Sequence, residues 1–527
     1  MPRPLRDPAI VVIVGLLVRC LGFDPGSKPK IYAIPGAFID DMRHREACYL
    51  SLTTSTTIFA EKGKGQDHLV AEAWFNRAAL GGHGGLTRVD TPAEADILYV
   101  PVLPFMSFRV SEYLKTNKMG RPAACENMVS HQKMMSSVTE SIISVAEGLD
   151  APPLVLVVVG AWGSLGSLSS LANATKAHVV IANQEYFISS WCGRRFAGMP
   201  YAASSDLTTL KDYSQLLQRL GGRGGGGESS GRNISIFSMG QLSHGLPDVT
   251  TGKMHGGQRI RLAHATWATL PGAVVRFTDG SSKMKPLNPI NVRMANTRWN
   301  VTRETLGKLA VSRLDGGGYA ALVRRSVFCV VPAGDTATTR KLYDALAGGC
   351  VPVILSDRLW NDPALVRVQR DGFQVGGRAI LEHFAVVVNE TALIEDPQRE
   401  GEKLLAIPPE RIAELQRAGA QVARNHLIYG WGDPDSTRKD AVFGRAAGSL
   451  VSMLVEHCAP GADRPVLCSK SARGDCSGKK KKRFRKKMGD KMGMGGKMRK
   501  NMAPWFAAET AKARSQSGKV HIYSPTI

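Results

Sequence analysis

From Lys30 onward the apolar positions follow two patterns in turn. KIYAIP (Lys30–Pro35), the end of TPAEADILYVPV (Thr91–Val102), LVLVVVG (Leu154–Gly160) and AHVVIANQ (Ala177–Gln184) are short, nearly continuous apolar runs. Such runs predict strands, and parallel strands buried on both faces show no alternation. Between them the spacing changes to that of a helix. Leu69, Val70, Ala73, Trp74 and Ala78 predict a helix over Asp67–Leu80, and Asn127–Glu147 predicts a second. Thr91-Pro92 opens a helical turn ahead of its strand. Strands interleaved with helices imply an α/β sheet.

GGRGGGGESSG, residues 221–231, interrupts this pattern. It offers almost no side chain to pack and is costly to order, so it predicts a linker. A second α/β series follows. NISIFSMG (Asn233–Gly240), AVVRFTDG (Ala273–Gly280), VFCVVPAG (Val327–Gly334), VPVILSD (Val351–Asp357) and Phe384–Val388 predict strands. Gln258–Leu270, Tyr319–Ser326, Thr336–Ala347 and a segment from Pro409 predict helices. The expected division is 1–27 as a signal peptide or signal anchor, 28–220 as a first α/β domain and 221–231 as the linker. A second α/β domain with its closing helix then occupies 232–457, and 458–527 is a basic tail. Two doubly wound domains of this kind would hold a ligand in a cleft between them, at the carboxyl ends of the strands.

Composition changes this picture at the two ends only. In 527 residues, 43% are hydrophobic and 21% charged, ordinary for a globular chain too long for one core. The net charge of +23 is unevenly spread, with twelve Lys/Arg and one acid between Lys479 and Lys500. That stretch has no helical period and predicts a solvated tail able to contact an anionic polymer, a membrane surface or RNA. At the other end Arg3 and Arg6 precede AIVVIVGLLV (Ala9–Val18), a run fit for a signal h-region or, with Cys20–Phe23, a short anchor. Nine cysteines form no CxxC pair or zinc-ligand spacing, although Cys458, Cys468 and Cys476 are close enough for a small disulfide loop. Sequons stand at Asn173, Asn233, Asn300 and Asn389 and are acceptors only if the chain enters the secretory pathway.

The candidate chemistry concentrates in VFCVVPAGDTATTRKLYDALAGGCVPVILSD, residues 327–357. A buried strand ends at Pro332-Ala333-Gly334, and a helix begins within Asp335–Thr338, capped by Asp335 or a neighbouring Thr. The free N–H groups and dipole of that helix start form an anion site. Arg340 and Lys341 can neutralise a diphosphate there, and Asp344, one turn on, can accept hydrogen bonds from ribose hydroxyls. Gly348-Gly349 ends the helix. The plainer alternative is a simple βαβ unit with an Arg340–Asp344 surface ion pair worth under about 1 kcal/mol.

This segment resembles the exostosin family of glycosyltransferases. The likeness lies in Phe328-Cys329, Pro332 and Gly334, then Arg340, Leu342, Asp344-Ala345 and Gly349-Cys350-Val351-Pro352-Val353-Ile354. Lys341 stands between Arg340 and Leu342 where the family's commonest spacing has nothing, and Asp344 replaces the more usual Glu. TPAEADILYVP and FSMG (Phe237–Gly240) followed by Arg259 and Arg261 are similar to two further family segments. LVVVGAWGSL lacks the His-x-x-Asp-Trp pattern frequent in relatives.

The resemblance implies a GT-B-like fold of two Rossmann-type domains facing a cleft, the first for the acceptor and the second for a nucleotide sugar. It implies donor contacts at Gly240, Arg259, Gly334, Thr338, Arg340, Lys341 and Asp344, without a metal or other cofactor. A UDP-sugar donor, a polysaccharide or glycoprotein-glycan acceptor and a type II Golgi membrane location go with it. No residue is singled out as the catalytic base, for which Asp40, Asp41, His44 and Glu185 are candidates. Asp433-Pro434-Asp435 reads as a loop, and His244, His255 and His264 match no metal spacing. The competing readings are an inactive, polymer-binding exostosin-like scaffold and a nucleic-acid-associated protein acting through its basic tail.

Overall fold

The structure, a computed structural model, describes residues 28–458 apart from 37, 54–65, 117–121, 151–152, 160–177, 184–194, 222–230, 241–255, 278–288, 312–315, 333–338, 356–379 and 435–440. The expected signal segment, nearly all of the Gly-rich stretch and the basic tail lie outside these residues. The first series runs β1 (Lys30–Ala33), α1 (Phe38–Thr53), α2 (Gln66–Gly81), β2 (Thr87–Arg88), β3 (Ile97–Tyr99), α3 (Pro104–Thr116), α4 (His131–Glu147), β4 (Leu154–Val159), β5 (His178–Asn183) and β6 (Arg195–Gly198). After α5 (Leu210–Leu220) the second series begins with β7 (Ile234–Gly240), α6 (Gly256–His264), β8 (Val274–Phe277), α7 (Pro289–Trp299), α8 (Arg303–Leu309) and α9 (Gly316–Arg324). It continues with β9 (Ser326–Val331), α10 (Arg340–Gly348), β10 (Val351–Ile354), α11 (Ile380–Phe384) and β11 (Val386–Val387). The helices α12 (Glu390–Glu395), α13 (Pro397–Leu405) and α14 (Pro409–Val422), a small ribbon of β12 (Gly430–Gly432) and β13 (Ala441–Phe443), and α15 (Ala446–Cys458) close the chain.

Both large sheets are parallel throughout, ordered β2-β1-β3-β4-β5-β6 and β11-β10-β9-β7-β8. In each, the second strand of the series adds on one side of the first and the third adds on the other. Each sheet therefore has a topological switch point, between β1 and β3 and between β7 and β9, and is doubly wound as expected. The apolar runs explain why these strands sit centrally. On β9, Phe328 and Val330 enter one core while Cys329 and Val331 enter the other, so both faces of the strand are dry.

Local signals set the helix ends. Ser130 caps α4 by accepting from Lys133 N, and Thr209 and Asp212 form a capping box on α5. The start of α3 is held by Glu72, a fully buried carboxylate whose two oxygens each lie 3.1 Å from Phe105 N. Helix α10 begins later than its periodicity suggests. Its first residue is Arg340, and its cap is the Thr339 hydroxyl, which accepts from Lys341 N. It ends at Gly349, whose φ of +73° is the left-handed conformation that glycine adopts without strain.

The change of core does not coincide with the Gly-rich stretch. Tyr201, Ala203, Leu207 and Leu216, all upstream of residue 221, pack with Cys329, Leu342 and Leu346 of the second series. Arg324 on α9 donates to both oxygens of buried Asp212 on α5, at 2.7 and 2.8 Å. Helix α5 thus belongs to the second core, although it precedes the expected linker. The chain end returns to the first series, where Gly448 N donates to Gly84 O at 3.0 Å and Phe443 meets Trp74 edge-on.

Two disulfides join cysteines that spacing alone did not pair. Cys48 on α1 bonds Cys125 across 77 residues, and Cys329 on β9 bonds Cys350 across 21. The second closes the β9–α10–β10 unit on itself.

Candidate functional site

The second switch point is built by three chain ends. Strand β7 finishes at Gly240, β9 finishes at Val331, and the first turn of α10 lies beside them. Lys341, in that turn, reaches across to β7: its Nζ donates to Met239 O, and its ammonium stands 5.8 Å from the centre of the Tyr319 ring. A Cβ on Gly240 would lie 3.6 Å from Lys341 Cε, so glycine leaves the lysine room to pass. Burial lowers the Lys341 ammonium to a pKa of about 8, with Arg340 and Arg261 pushing the same way and Asp344 opposing. Lys341, Arg340 and Arg261 are thus close to one another at the start of α10, where the helix dipole is positive. That combination suits an anion.

Asp344 occupies the same corner but is not a surface partner. Its side chain is 1% exposed, and its oxygens accept from Ser204 N at 2.8 Å, Tyr319 Oη at 3.1 Å and Arg340 Nε at 3.1 Å. Ser204 lies between the two sheets in sequence, so this carboxylate fastens the crossing segment to α10. The simple surface pair is thereby excluded. Arg340, at 36% exposure, reaches the surface while its partner does not.

Of the two arginines on α6, Arg261 is buried and acts electrostatically on Lys341, whereas Arg259 is half-exposed. Positions two apart on a helix point in nearly opposite directions, so only one of them can face the crevice. On the inward face, three residues on, His264 is almost fully buried. Its Nδ1–H donates to Ile260 O at 3.1 Å, which leaves Nε2 to accept from the Ser238 hydroxyl at 2.9 Å. Burial holds its pKa down at about 4, so the ring is neutral and structural. His244, His255, Gly334 and Thr338 lie outside the described residues, as do Asp335, Glu185 and Asp435. Asp433-Pro434 follow β12 in the loop of the ribbon. Arg261, Tyr319 and Ser204 are the crevice residues absent from the sequence-based donor set.

The first switch point has another character. Helix α1 carries Asp40, Asp41 and His44 in its first two turns, and Asp41 accepts from buried Arg45 at 2.6 Å. Next to them a small pocket is lined by Met42, Arg43, Glu46, Asn76, Arg77 and Pro101, among others, and Arg77 and Glu46 pair at 2.8 Å. Charges there are balanced, not concentrated. Among the described residues no three His, Cys, Asp or Glu side chains converge as metal ligands would.

Basic side chains thus gather at the switch point of a doubly wound parallel sheet, the place where such sheets hold their ligands. Residues 229–361, which contain that crevice, match the Exostosin GT47 domain. It is 29% identical over 169 residues to the probable glucuronoxylan glucuronosyltransferase IRX7 of Arabidopsis thaliana, covering 26% of this chain and 37% of that one. It is also 29% identical over 89 residues to the Exostosin-1 homolog of Caenorhabditis elegans, covering 15% of this chain and 23% of that one. The chain thus matches about a third or less of the length of these curated relatives.

Among solved structures, a glycosyltransferase from Rickettsia africae is similar at 10% identity and a TM-score of 0.34, over 76% of this chain and 94% of that one. The calicheamicin glycosyltransferase CalG4 is similar at 12% and 0.28, over 82% and 100%. The two parallel sheets themselves define the fold.

Proposed function

We propose that the chain is a glycosyltransferase that moves a sugar from a nucleotide-sugar donor, a UDP-sugar, to a polysaccharide or glycoprotein-glycan acceptor. The observation that carries this reading is the meeting of Lys341, Gly240 and the start of α10 inside the segment that matches the exostosin domain. An acceptor hydroxyl attacks the anomeric carbon, the bond from that carbon to the diphosphate oxygen breaks, and the diphosphate leaves with the electron pair. Its growing charge falls beside the α10 N–H groups, Lys341 and Arg340, which are in place beforehand. These cations take the part a metal plays elsewhere. The hexose or pentose and its acceptor bind on the side of the first sheet, where the balanced pocket near α1 suits neutral hydroxyls better than phosphate. Asp40 and His44 are the described candidates for the base, since Asp41 already holds Arg45.

The reading extends to location. Two buried disulfides favour an oxidising compartment. Together with the apolar N-terminus they support a Golgi enzyme anchored through its first residues, whose basic tail contacts anionic polymer or lipid. Among the described residues no helix is long and apolar enough to cross a membrane.

Thermal stabilisation of the full chain by UDP, GDP and a panel of their sugars tests the donor site. Ligand at 100 times its dissociation constant should add about 2.7 kcal/mol. A response to one nucleotide family, lost in Lys341→Met, supports the transferase. A folded chain that answers no nucleotide but binds polysaccharide supports the inactive scaffold.

A further inference from the structure

Three sequons fall on described residues, and their surroundings differ. At Asn233 the side-chain oxygen accepts from Arg325 Nε at 3.0 Å, and the sequon hydroxyl of Ser235 donates to Pro271 O next to the sheet. At Asn389 the side-chain oxygen caps α12 by accepting from Thr391 N and Ala392 N. That residue also follows the carboxyl end of β11, on the end of the sheet that holds Lys341. Asn300 is exposed, and its side chain has no hydrogen-bond partner among the described residues.

Asn300 forms the corner between α7 and α8, with φ of +53°. A left-handed residue there favours Gly or Asn and does not by itself choose Asn. Thr302, the sequon hydroxyl, caps α8 by accepting from Thr305 N at 3.1 Å. Asn296, Thr297, Arg298, Arg303 and Glu304 around the corner are all exposed and polar or charged. A bulky substituent would stand mainly among polar side chains, with partly buried Trp299 its apolar neighbour in sequence. Its direction is also favourable. Helix α7 follows the carboxyl end of β8, and its eleven residues rise about 16 Å before Asn300. After α8 the chain returns to pair Ala310 with Phe277, the last residue of β8. The corner therefore lies away from the strand ends that form the crevice.

We propose that Asn300 is an N-glycosylation site that carries an oligosaccharide pointing away from the crevice. The donor class is a lipid diphosphate-linked oligosaccharide. Asn300 Nδ2 forms a bond to the anomeric carbon, the carbon–oxygen bond to the diphosphate breaks, lipid diphosphate leaves with the electron pair, and Nδ2 gives up one proton. The proposal rests on the secretory-pathway reading, which the two disulfides support independently of any transferase activity.

The test is peptide mass spectrometry of the full chain made in a eukaryotic secretory host, with and without peptide:N-glycosidase, and with the disulfides mapped in the same sample. Occupied Asn300, converted to Asp by the glycosidase, is the expected result. Asn300→Gly, which keeps the left-handed corner, should remove one glycan's mass and leave the thermal midpoint of the deglycosylated chain unchanged. Thr302→Ser should retain the glycan, since Ser serves both the sequon and the cap. An unmodified Asn300 in a chain with Cys48–Cys125 and Cys329–Cys350 oxidised would overturn the proposal alone. An unmodified Asn300 with all four thiols free would overturn it together with the compartment reading.

Discussion

The two sheets share one winding rule and differ in what stands at the switch point. In the second, Lys341, Arg261 and Arg340 gather around the start of α10, with Asp344 already committed to three hydrogen bonds. In the first, Arg77 is matched by Glu46, and Arg45 by Asp41. Topology supplies a crevice in both sheets, but side-chain charge decides what can enter it. A dianionic leaving group is drawn to a cluster of cations. A neutral sugar chain would be repelled by nothing in the first pocket and attracted by little beyond hydrogen bonds.

Each region also carries its own disulfide, so the two can be perturbed separately. Loop-closure entropy gives about 4.5 kcal/mol for the 77-residue link and about 3.4 kcal/mol for the 21-residue link. In the full chain Cys48→Ala with Cys125→Ala should produce the larger loss in denaturant midpoint and leave nucleotide affinity intact. Cys329→Ala with Cys350→Ala should lose less stability but weaken nucleotide binding, because it frees the β9–α10–β10 unit. Equal effects of both on binding would break the comparison.

Asp344→Ala comes next. It strands Ser204 N and Tyr319 Oη and leaves Arg340 without its buried partner, a loss of about 3–5 kcal/mol visible without any ligand. A variant as stable as the wild type, but blind to nucleotide, would instead make Asp344 a pure ribose ligand.

The smallest effect concerns pH. Lys341 has a folded pKa near 8, below its unfolded value of 10.5, so the unfolded chain holds the extra proton between those limits. From this group alone, stability should rise as pH climbs from about 8 to 10.5. The difference between wild type and Lys341→Met in urea melts isolates it. Nucleotide binding has the opposite sign. An anion stabilises the charged amine, so affinity should fall above pH 8 by up to tenfold per pH unit. A pH-independent affinity there would remove Lys341 from the site.

The sequence displayed the architecture more clearly than the site. Continuous runs such as LVLVVVG announce doubly covered strands, and 3.6-residue spacing announced α2. Helix α1 was hidden because FIDDMRHREACYLSLT mixes charges into its buried face, Arg45 among them. The placement of α5 was unreadable for a related reason. Its buried Asp212 is satisfied by Arg324, more than a hundred residues away, and a pairing at that distance leaves no local trace. At the crevice, Arg340, Lys341 and Asp344 were legible from their spacing on one helical turn. Arg261 could have been preferred over Arg259 from its position three residues before His264, on the same helical face. Ser204 could not, since it contributes only a backbone N–H. The cysteine pairs needed the fold, because spacing alone allows too many connectivities.

If the second switch point binds the diphosphate of a nucleotide, the diphosphate and not the nucleoside should carry the affinity. Isothermal titration of the full chain with UDP and with uridine, repeated on Lys341→Met and on Arg43→Ala, tests it most directly. UDP should bind, and uridine should bind at least tenfold more weakly. Lys341→Met should lower UDP affinity by at least the same factor, with the folded state as stable as before or more so. Arg43→Ala, in the other region, should change UDP affinity less than twofold. UDP binding that ignores Lys341→Met, or that uridine matches, would contradict it.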